Sequence, residues 1–282
     1  MTGTLFLVAT PIGNLEDITA RALRILRDVA LIAAEDTRRT SHLLSRYAIT
    51  TPTTSLHEHN ETRKAPSLVA RLQKGESIAL VSDAGTPLMS DPGLQLVRRA
   101  IEAGIRIEPI PGPSAVIAAV AASGFETHPF TFLGFPPTRA KDRKAWFARL
   151  GSTGSTVVFF ESPHRIRETL AEIQAQCGDC EALICRELTK VHEELVRGPI
   201  STVLGSPSLE KGELTVVLNV GQKTENTTKS LASDQEIAFE LGRIADGLKI
   251  SRRQAIQRLA RRHGRTPNDI YAAVERAKQL GK

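Results

Sequence analysis

Cysteine is scarce in this chain of 282 residues, aromatic side chains make up only 4% of it, and no long hydrophobic run is present. Three cysteines do not suit a disulfide framework. Cys177-Gly178-Asp179-Cys180 has C-x-x-C spacing, but a structural zinc takes about four ligands. The remaining thiol, Cys185, lies inside the apolar run Ala182 to Cys185. Incidental thiols and no metal are expected. A bilayer span takes about 20 consecutive apolar residues, and the N-terminus also lacks the basic-then-apolar order of a signal peptide. A cytoplasmic protein without membrane contact follows as an expectation. Neither G-x-G-x-x-G nor G-x-x-x-x-G-K-[ST] occurs, so the two common nucleotide fingerprints are excluded.

What is there is the composition of a globular protein, 41% hydrophobic and 24% charged, with length enough for two domains and a small appendage. Charge is unevenly placed. Residues 235–282 hold 11 Lys+Arg against 5 Asp+Glu and carry the whole net charge of +6, while residues 1–234 are formally neutral. A basic appendage on a neutral body suits a polyanionic partner, most simply nucleic acid, although a solubilising face has the same composition.

Up to residue 220 the chain alternates short apolar runs with helical patterns, the mark of an α/β protein. Leu5–Ala9, Ala30–Ala34, Ile78–Val81 and Ile105–Ile110 read as buried strands, with a helix over Ile18–Val29 and a buried helix over Pro113–Ser123. Gly124 to Pro129 reads as a junction. Strands near Phe130–Leu133, Thr156–Phe160, Ala182–Cys185, Glu194–Val196 and Leu214–Val220 follow, with helical patterns near Lys141–Leu150 and Ile166–Ala175. Two α/β domains, 1–123 and 124–221, are therefore expected, with a ligand crevice between them. Residues 222–233 read as a polar linker and 234–282 as three helices near 234–247, 252–263 and 267–280. Their starts carry Ser233 with Glu236, Ser251 with Gln254, and Thr266 before Pro267. Leu241, Ile244, Ile256, Leu259, Ile270 and Val274 would form their core. Arg252, Arg253, Arg258, Arg261, Arg262 and Arg265 crowd onto the middle helix and its turn, a density that suits phosphate recognition.

Chemistry concentrates where the apolar runs stop. The segment Ser82-Asp83-Ala84-Gly85-Thr86-Pro87, continuing through Ser90 to Gly93, places small and turn-forming residues at a strand end, where α/β sheets hold ligands. Pro11-Ile12-Gly13-Asn14, Glu35-Asp36-Thr37-Arg38, Pro111-Gly112-Pro113-Ser114, Glu161-Ser162-Pro163-His164-Arg165 and Arg186-Glu187-Leu188-Thr189-Lys190 occupy comparable positions. One charged strand end is commonplace, but so many in one chain favour a large functional crevice.

In this order the six motifs resemble the tetrapyrrole-methylase superfamily, over about residues 3–220, and within it the branch acting on ribosomal RNA; His57-Glu58-His59-Asn60-Glu61 and the basic tail also suit that branch. The resemblance implies an S-adenosylmethionine site between two α/β domains, a homodimer, and 2′-O-methylation of a cytidine in the 16S rRNA of the small ribosomal subunit. It also implies that Pro11, Gly13, Asp83, Gly85, Thr86, Ser90, Ser114, Phe160, Leu188 and Thr215 border the cofactor. The family's opening G-x-G-P-G reads Ala9-Thr10-Pro11-Ile12-Gly13 here.

A ribose hydroxyl is a poor nucleophile while protonated, so a nearby base is useful. Lys190 and Glu187 are the candidates because their motif meets the expected cleft; their alternative role is an ion pair bracing a strand end. His57, Asn60, Glu61 and Arg38 are candidates for RNA contact, with His59, Arg63, Lys64 and Arg39 beside them. Asn60 also suits a helix cap. Two other functions share these features: C-methylation of a corrin or sirohaem precursor, and a non-catalytic RNA-binding assembly protein.

Overall fold

The computed structural model describes residues 2–220, 234, 237–241, 251–263 and 266–280. It divides into two compact units, Met1–Lys223 and Thr224–Lys282.

The first unit holds two five-stranded sheets. In the first, β1 (Thr4–Val8), β2 (Leu31–Ala34), β3 (Thr53–Ser55), β4 (Ile78–Val81) and β5 (Arg106–Ile110) are ordered β3-β2-β4-β1-β5 and all run parallel. Every residue of β2 and β4 is buried, because helices cover both faces. Alternate residues serve opposite faces. Ile32 and Ala34 join the cluster under α1 (Ala20–Asp28) and α2 (Thr37–Arg46), whereas Leu31 and Ala33 join the one under α3 (Glu61–Gln73) and α4 (Leu94–Glu102).

The second sheet is mixed. Its strands β6 (Phe130–Phe132), β7 (Thr156–Glu161), β8 (Glu181–Arg186), β9 (Glu194–Pro199) and β10 (Leu214–Asn219) are ordered β6-β7-β10-β8-β9, and only β6 and β7 pair in parallel. α6 (Ala140–Ser152), α7 (Pro163–Cys177) and the short α8 (Ile200–Val203) cover one face through Trp146, Phe147, Ile166, Leu170 and Ile173. The opposite face is covered by α5 (Ala115–Ser123), whose Val116, Ala119 and Val120 pack on Val158, Leu183, Cys185 and Val217. The sequence pattern groups α5 with the first sheet, and the structure corrects this. The chain crosses between sheets ahead of α5, at Pro111–Ser114, and the Gly124 junction only ends that helix in a left-handed turn.

In the second unit, the helices Arg252–His263 and Pro267–Leu280 match the expected spans, and Ile237 to Leu241 is helical. Ile237, Leu241, Ala255, Leu259, Ile270, Ala273 and Val274 form its core. Gln254 N donates to Ser251 Oγ while Ser251 N donates to Gln254 Oε1, the reciprocal cap expected at that start. Thr266 and Asp269 cap the last helix in the same way. The linker, Ser233, Glu236, Ile244 and Arg265 lie outside the described residues.

Candidate functional site

Parallel β1, β2, β4 and β5 all present their carboxyl ends to one edge, and the loops leaving them meet loops of the second sheet around a cavity of about 410 Å³. That volume is in the range of small-molecule sites. The first sheet contributes Ile12, Glu35, Arg39, the stretch from Asp83 to Thr86, Met89 to Asp91, and Ser114. Phe135, Phe160, Glu161, Leu188 and Glu213 to Thr215 come from the second.

Backbone pairing fixes the floor. Thr10 N donates to Gly85 O (2.9 Å) and Gly85 N to Thr10 O (3.0 Å), so the loops after β1 and β4 form a two-residue bridge. Thr86 Oγ1 donates to Pro113 O at 3.3 Å, tying the same loop to that after β5. Asp83 N donates to Glu35 Oε2 (3.3 Å), Asp83 Oδ1 accepts from Asp36 N (3.0 Å), and Arg39 lies 3.5 Å from Asp83 Oδ2.

Two further loops frame the opening, and both carry strained backbone. Leu88 and Ser90 have φ of +72° and +76°, and Glu187 and Thr189 have +52° and +68°. Left-handed conformations of this kind in non-glycine residues are disfavoured and gather at ligand sites. Gly13 locks the two sheets' loops together. A Cβ there would stand 2.8 Å from Leu188 O and 2.5 Å from Lys190 Cγ, so only glycine lets the loops approach this closely.

Of the ten residues expected at the cofactor, Asp83, Gly85, Thr86, Ser90, Ser114, Phe160, Leu188 and Thr215 line the cavity. Pro11 and Gly13 are not part of the lining: Pro11 is buried beside Ile12, and Gly13 lies against the loop that carries Leu188. Sequence reasoning named Ile12, Asp91, Glu161, Glu213 and Leu214 only as members of strand-end motifs, left Glu35 and Arg39 without a definite role, and passed over Phe135. Phe135 had one local signal, its place in Gly134-Phe135-Pro136-Pro137 just beyond a strand.

Lys190 Nζ donates to Glu187 Oε1 (2.9 Å) and Glu213 Oε2 (3.1 Å), so Glu213 of the lining is tied to the pair outside it. The backbone N–H of Glu213 and then Lys190 hold the Glu187 carboxyl below the usual range. Burial of the Lys190 amino group works against its charge, but the bonds to Glu187 and Glu213 outweigh it and raise its pKa. Both groups are thus charged and engaged at neutral pH. Carboxyls on the opposite wall behave differently. Burial pushes Asp91 up to about 6, against a hydrogen bond from Ser82 and with help from Glu35 and Asp83, and burial also raises Glu35.

The candidates for RNA contact divide by engagement. Asn60 and Glu61 are buried: Asn60 Oδ1 accepts from His57 N at 3.0 Å, and Glu61 Oε1 accepts from the N–H groups of Gln95 and Leu96 at the start of α4. Asn60 does occupy the N-cap position of α3, but its side chain makes no capping bond. Lys64 Nζ is spent on Thr54 and Ser55. Arg38 reaches outward while gripping Asp36 through Nε and Nη2. His59 is exposed, with its ring 6.1 Å from that of His57. In the second unit Arg252, Arg253 and Arg258 are exposed, and Arg252 pairs with Glu275 at 2.9 Å. Arg261 and Arg262 are on the same helix, their side chains outside the described residues.

The lining suits S-adenosylmethionine. Glu35, Asp83, Asp91 and Glu213 supply four carboxylates, beside the buried Glu161, against the single guanidinium of Arg39 among the described residues, which complements a cationic ligand. Phe160, Leu188 and Leu214 give apolar walls for a purine, and Ala84 and Gly85 leave backbone accessible.

Comparisons with known proteins agree with this geometry. The family described as Tetrapyrrole (Corrin/Porphyrin) Methylases matches residues 4–204. Ribosomal RNA small subunit methyltransferase I of Haemophilus influenzae is 44% identical over 277 residues, covering 96% of each chain. The protein of that name from Thermotoga maritima is 47% identical over 219 residues, which are 98% of its length but 77% of this chain. Among solved structures, a diphthine synthase shares the fold with a TM-score of 0.61 at 15% identity, covering 77% of this chain and 90% of its own. This chain therefore belongs to the tetrapyrrole methylases and, within them, to the ribosomal RNA small subunit methyltransferase I group.

Proposed function

We propose that this protein is an S-adenosylmethionine-dependent methyltransferase that 2′-O-methylates the ribose of a cytidine in the 16S rRNA of the small ribosomal subunit, working as a cytoplasmic homodimer. The observation that carries the reading is the convergence of the motif-bearing loops on one net-acidic cavity, in a chain related nearly end to end to enzymes of that name.

Bound in the cavity, the cofactor supplies a methyl group already activated by its sulfonium charge. What falls to the protein is alignment and proton removal. Asp83, Gly85, Thr86, Ser114, Phe160, Leu188 and Thr215 hold the cofactor, and Pro11 and Gly13 set the loop behind it. Asp91 accepts the proton that the ribose hydroxyl gives up as its oxygen is methylated: it lines the cavity, and burial makes its carboxylate a stronger base than an ordinary aspartate. Lys190 and Glu187 act on the reaction through position, bracing the loop that carries Leu188; a lysine held charged takes no proton at neutral pH. His57, His59, Arg38, Arg39 and the arginines of the second unit meet the RNA.

A corrin or sirohaem precursor is the alternative substrate, but the relative matched nearly end to end is named for ribosomal RNA. Incubation with S-adenosylmethionine labelled in the methyl group, alongside small ribosomal subunits and a uroporphyrin-type macrocycle, separates the readings. Label in ribose of 16S rRNA is expected; label in the macrocycle, or in neither, refutes it.

A further inference from the structure

Most large apolar side chains of this fold are buried, yet two that line the cavity are open to solvent: Met89 at 42% and Phe135 at 55%. They come from opposite sheets. Phe135 is held in place from several directions. Its ring lies 5.3 Å from that of Phe160, tilted by 51°, and Phe160 in turn meets Phe132 edge-on at 5.1 Å. Phe160 N donates to Gly134 O at 3.0 Å, and Arg165 Nη2 donates to Pro136 O at 2.7 Å, so the backbone on each side of the ring is anchored. Arg165 itself is steadied by buried Glu161, 3.6 Å away. The loop of Ser90 comes near the same place, since a Cβ on Gly134 would lie 3.4 Å from Ser90 Oγ. This is an aromatic ring fixed with one face uncovered, on the rim of a cavity whose floor is polar.

We infer that Phe135 is the stacking platform for the nucleobase of the target nucleotide, with Met89 bordering the same slot from the opposite wall. The inference rests on the proposed methyl transfer to RNA. An enzyme that methylates one ribose must hold that nucleotide in a fixed pose against the donor, and a platform under its base does this. Aromatic faces provide one with little demand on base identity, and methionine adapts to a flat ring. Placement fits this role, because Phe135 and Asp91 line the same cavity, and the exposed Arg39, 3.5 Å from Asp83, lines it too and carries the positive charge an adjacent phosphate needs.

The test compares Phe135→Ala, Phe135→Leu and Phe135→Tyr in the full chain. Calorimetry gives the affinity for S-adenosylhomocysteine, and steady-state assays give kcat/KM for methylation of small ribosomal subunits. Loss of one base–aromatic stack is expected to lower kcat/KM by about ten- to hundredfold in the Ala and Leu variants. Affinity for S-adenosylhomocysteine should change less than about twofold, and Tyr should restore most of the efficiency, by the same stacking logic. Leucine keeps apolar bulk against Phe160, so a deficit there reports the lost ring and not a loosened loop. If affinity for S-adenosylhomocysteine falls in step with kcat/KM, the ring serves the cofactor and the inference is overturned. Wild-type efficiency in Phe135→Leu overturns it as well. Failure of the wild-type protein to methylate rRNA would instead refute the proposed function beneath it.

Discussion

Asp91 shows how one carboxyl is set apart from its neighbours by burial. Its pKa of about 6 lies above the ordinary value of 3.8, so the fold disfavours its charge. The linkage has a definite sign: the destabilising contribution is present in full above about pH 6 and is relieved as the pH falls towards 3.8. Asp91→Asn should therefore raise Tm at pH 8 and leave it nearly unchanged at pH 4. The same substitution should lower methylation about a hundredfold or more if this carboxylate takes the proton. In the wild-type protein the rate should fall as the pH drops through about 6, where the acceptor becomes protonated, and that limb should vanish from the residual activity of the Asn variant. An unchanged acid limb would assign the titration to another group, Glu35 first, since burial raises it too. Glu187 makes no such limb, because its pKa is lowered and Lys190 remains charged to well above neutrality.

At the scale of elements, the site depends on loops that touch across the two sheets. Gly13→Ala forces the loop of Leu188 to move, as its backbone oxygen would be 2.8 Å from the new Cβ. A displacement of the order of 1 Å in a positioning loop costs up to about a hundredfold in rate. Weaker binding of S-adenosylhomocysteine, by calorimetry, should accompany it. Lys190→Met should be milder, weakening that binding by less than about tenfold, since a partly exposed ion pair contributes about 1 kcal/mol or less.

Much of this arrangement was legible in the chain itself. Buried parallel strands are short apolar runs, and each strand end that feeds the cavity is punctuated by Gly, Pro, Asp or Ser; that contrast marked Asp83, Gly85 and Ser114. Other parts had no local signal. β3 is three polar residues, Thr53 to Ser55, too few for any periodicity. α2 begins in the charged stretch at Asp36, which caps it through a bond to Arg38 N and so reads locally as a loop. The apolar helix α5 could cover either sheet, and only tertiary packing decides. Asp91 looked like any turn aspartate until burial and the nearness of Glu35 and Asp83 distinguished it.

On the scale of the whole molecule, the cavity lies within the unit Met1–Lys223, and the proposed function gives RNA attachment to the basic helices of the second unit. Removing residues 222–282 should leave binding of S-adenosylhomocysteine intact and weaken binding to rRNA. The dependence of RNA affinity on salt should become shallower by about 0.7–0.9 in log–log slope for each phosphate that the tail no longer neutralises. Equal methylation and equal salt dependence in the truncated protein would remove that role from the tail. The central claim, that loops of both sheets enclose one site for the methyl donor, is tested most directly by calorimetric titration of the full chain with S-adenosylhomocysteine. Saturable heat corresponding to one site per chain, weakened by Gly13→Ala, is the predicted result; folded protein that gives no heat would contradict it.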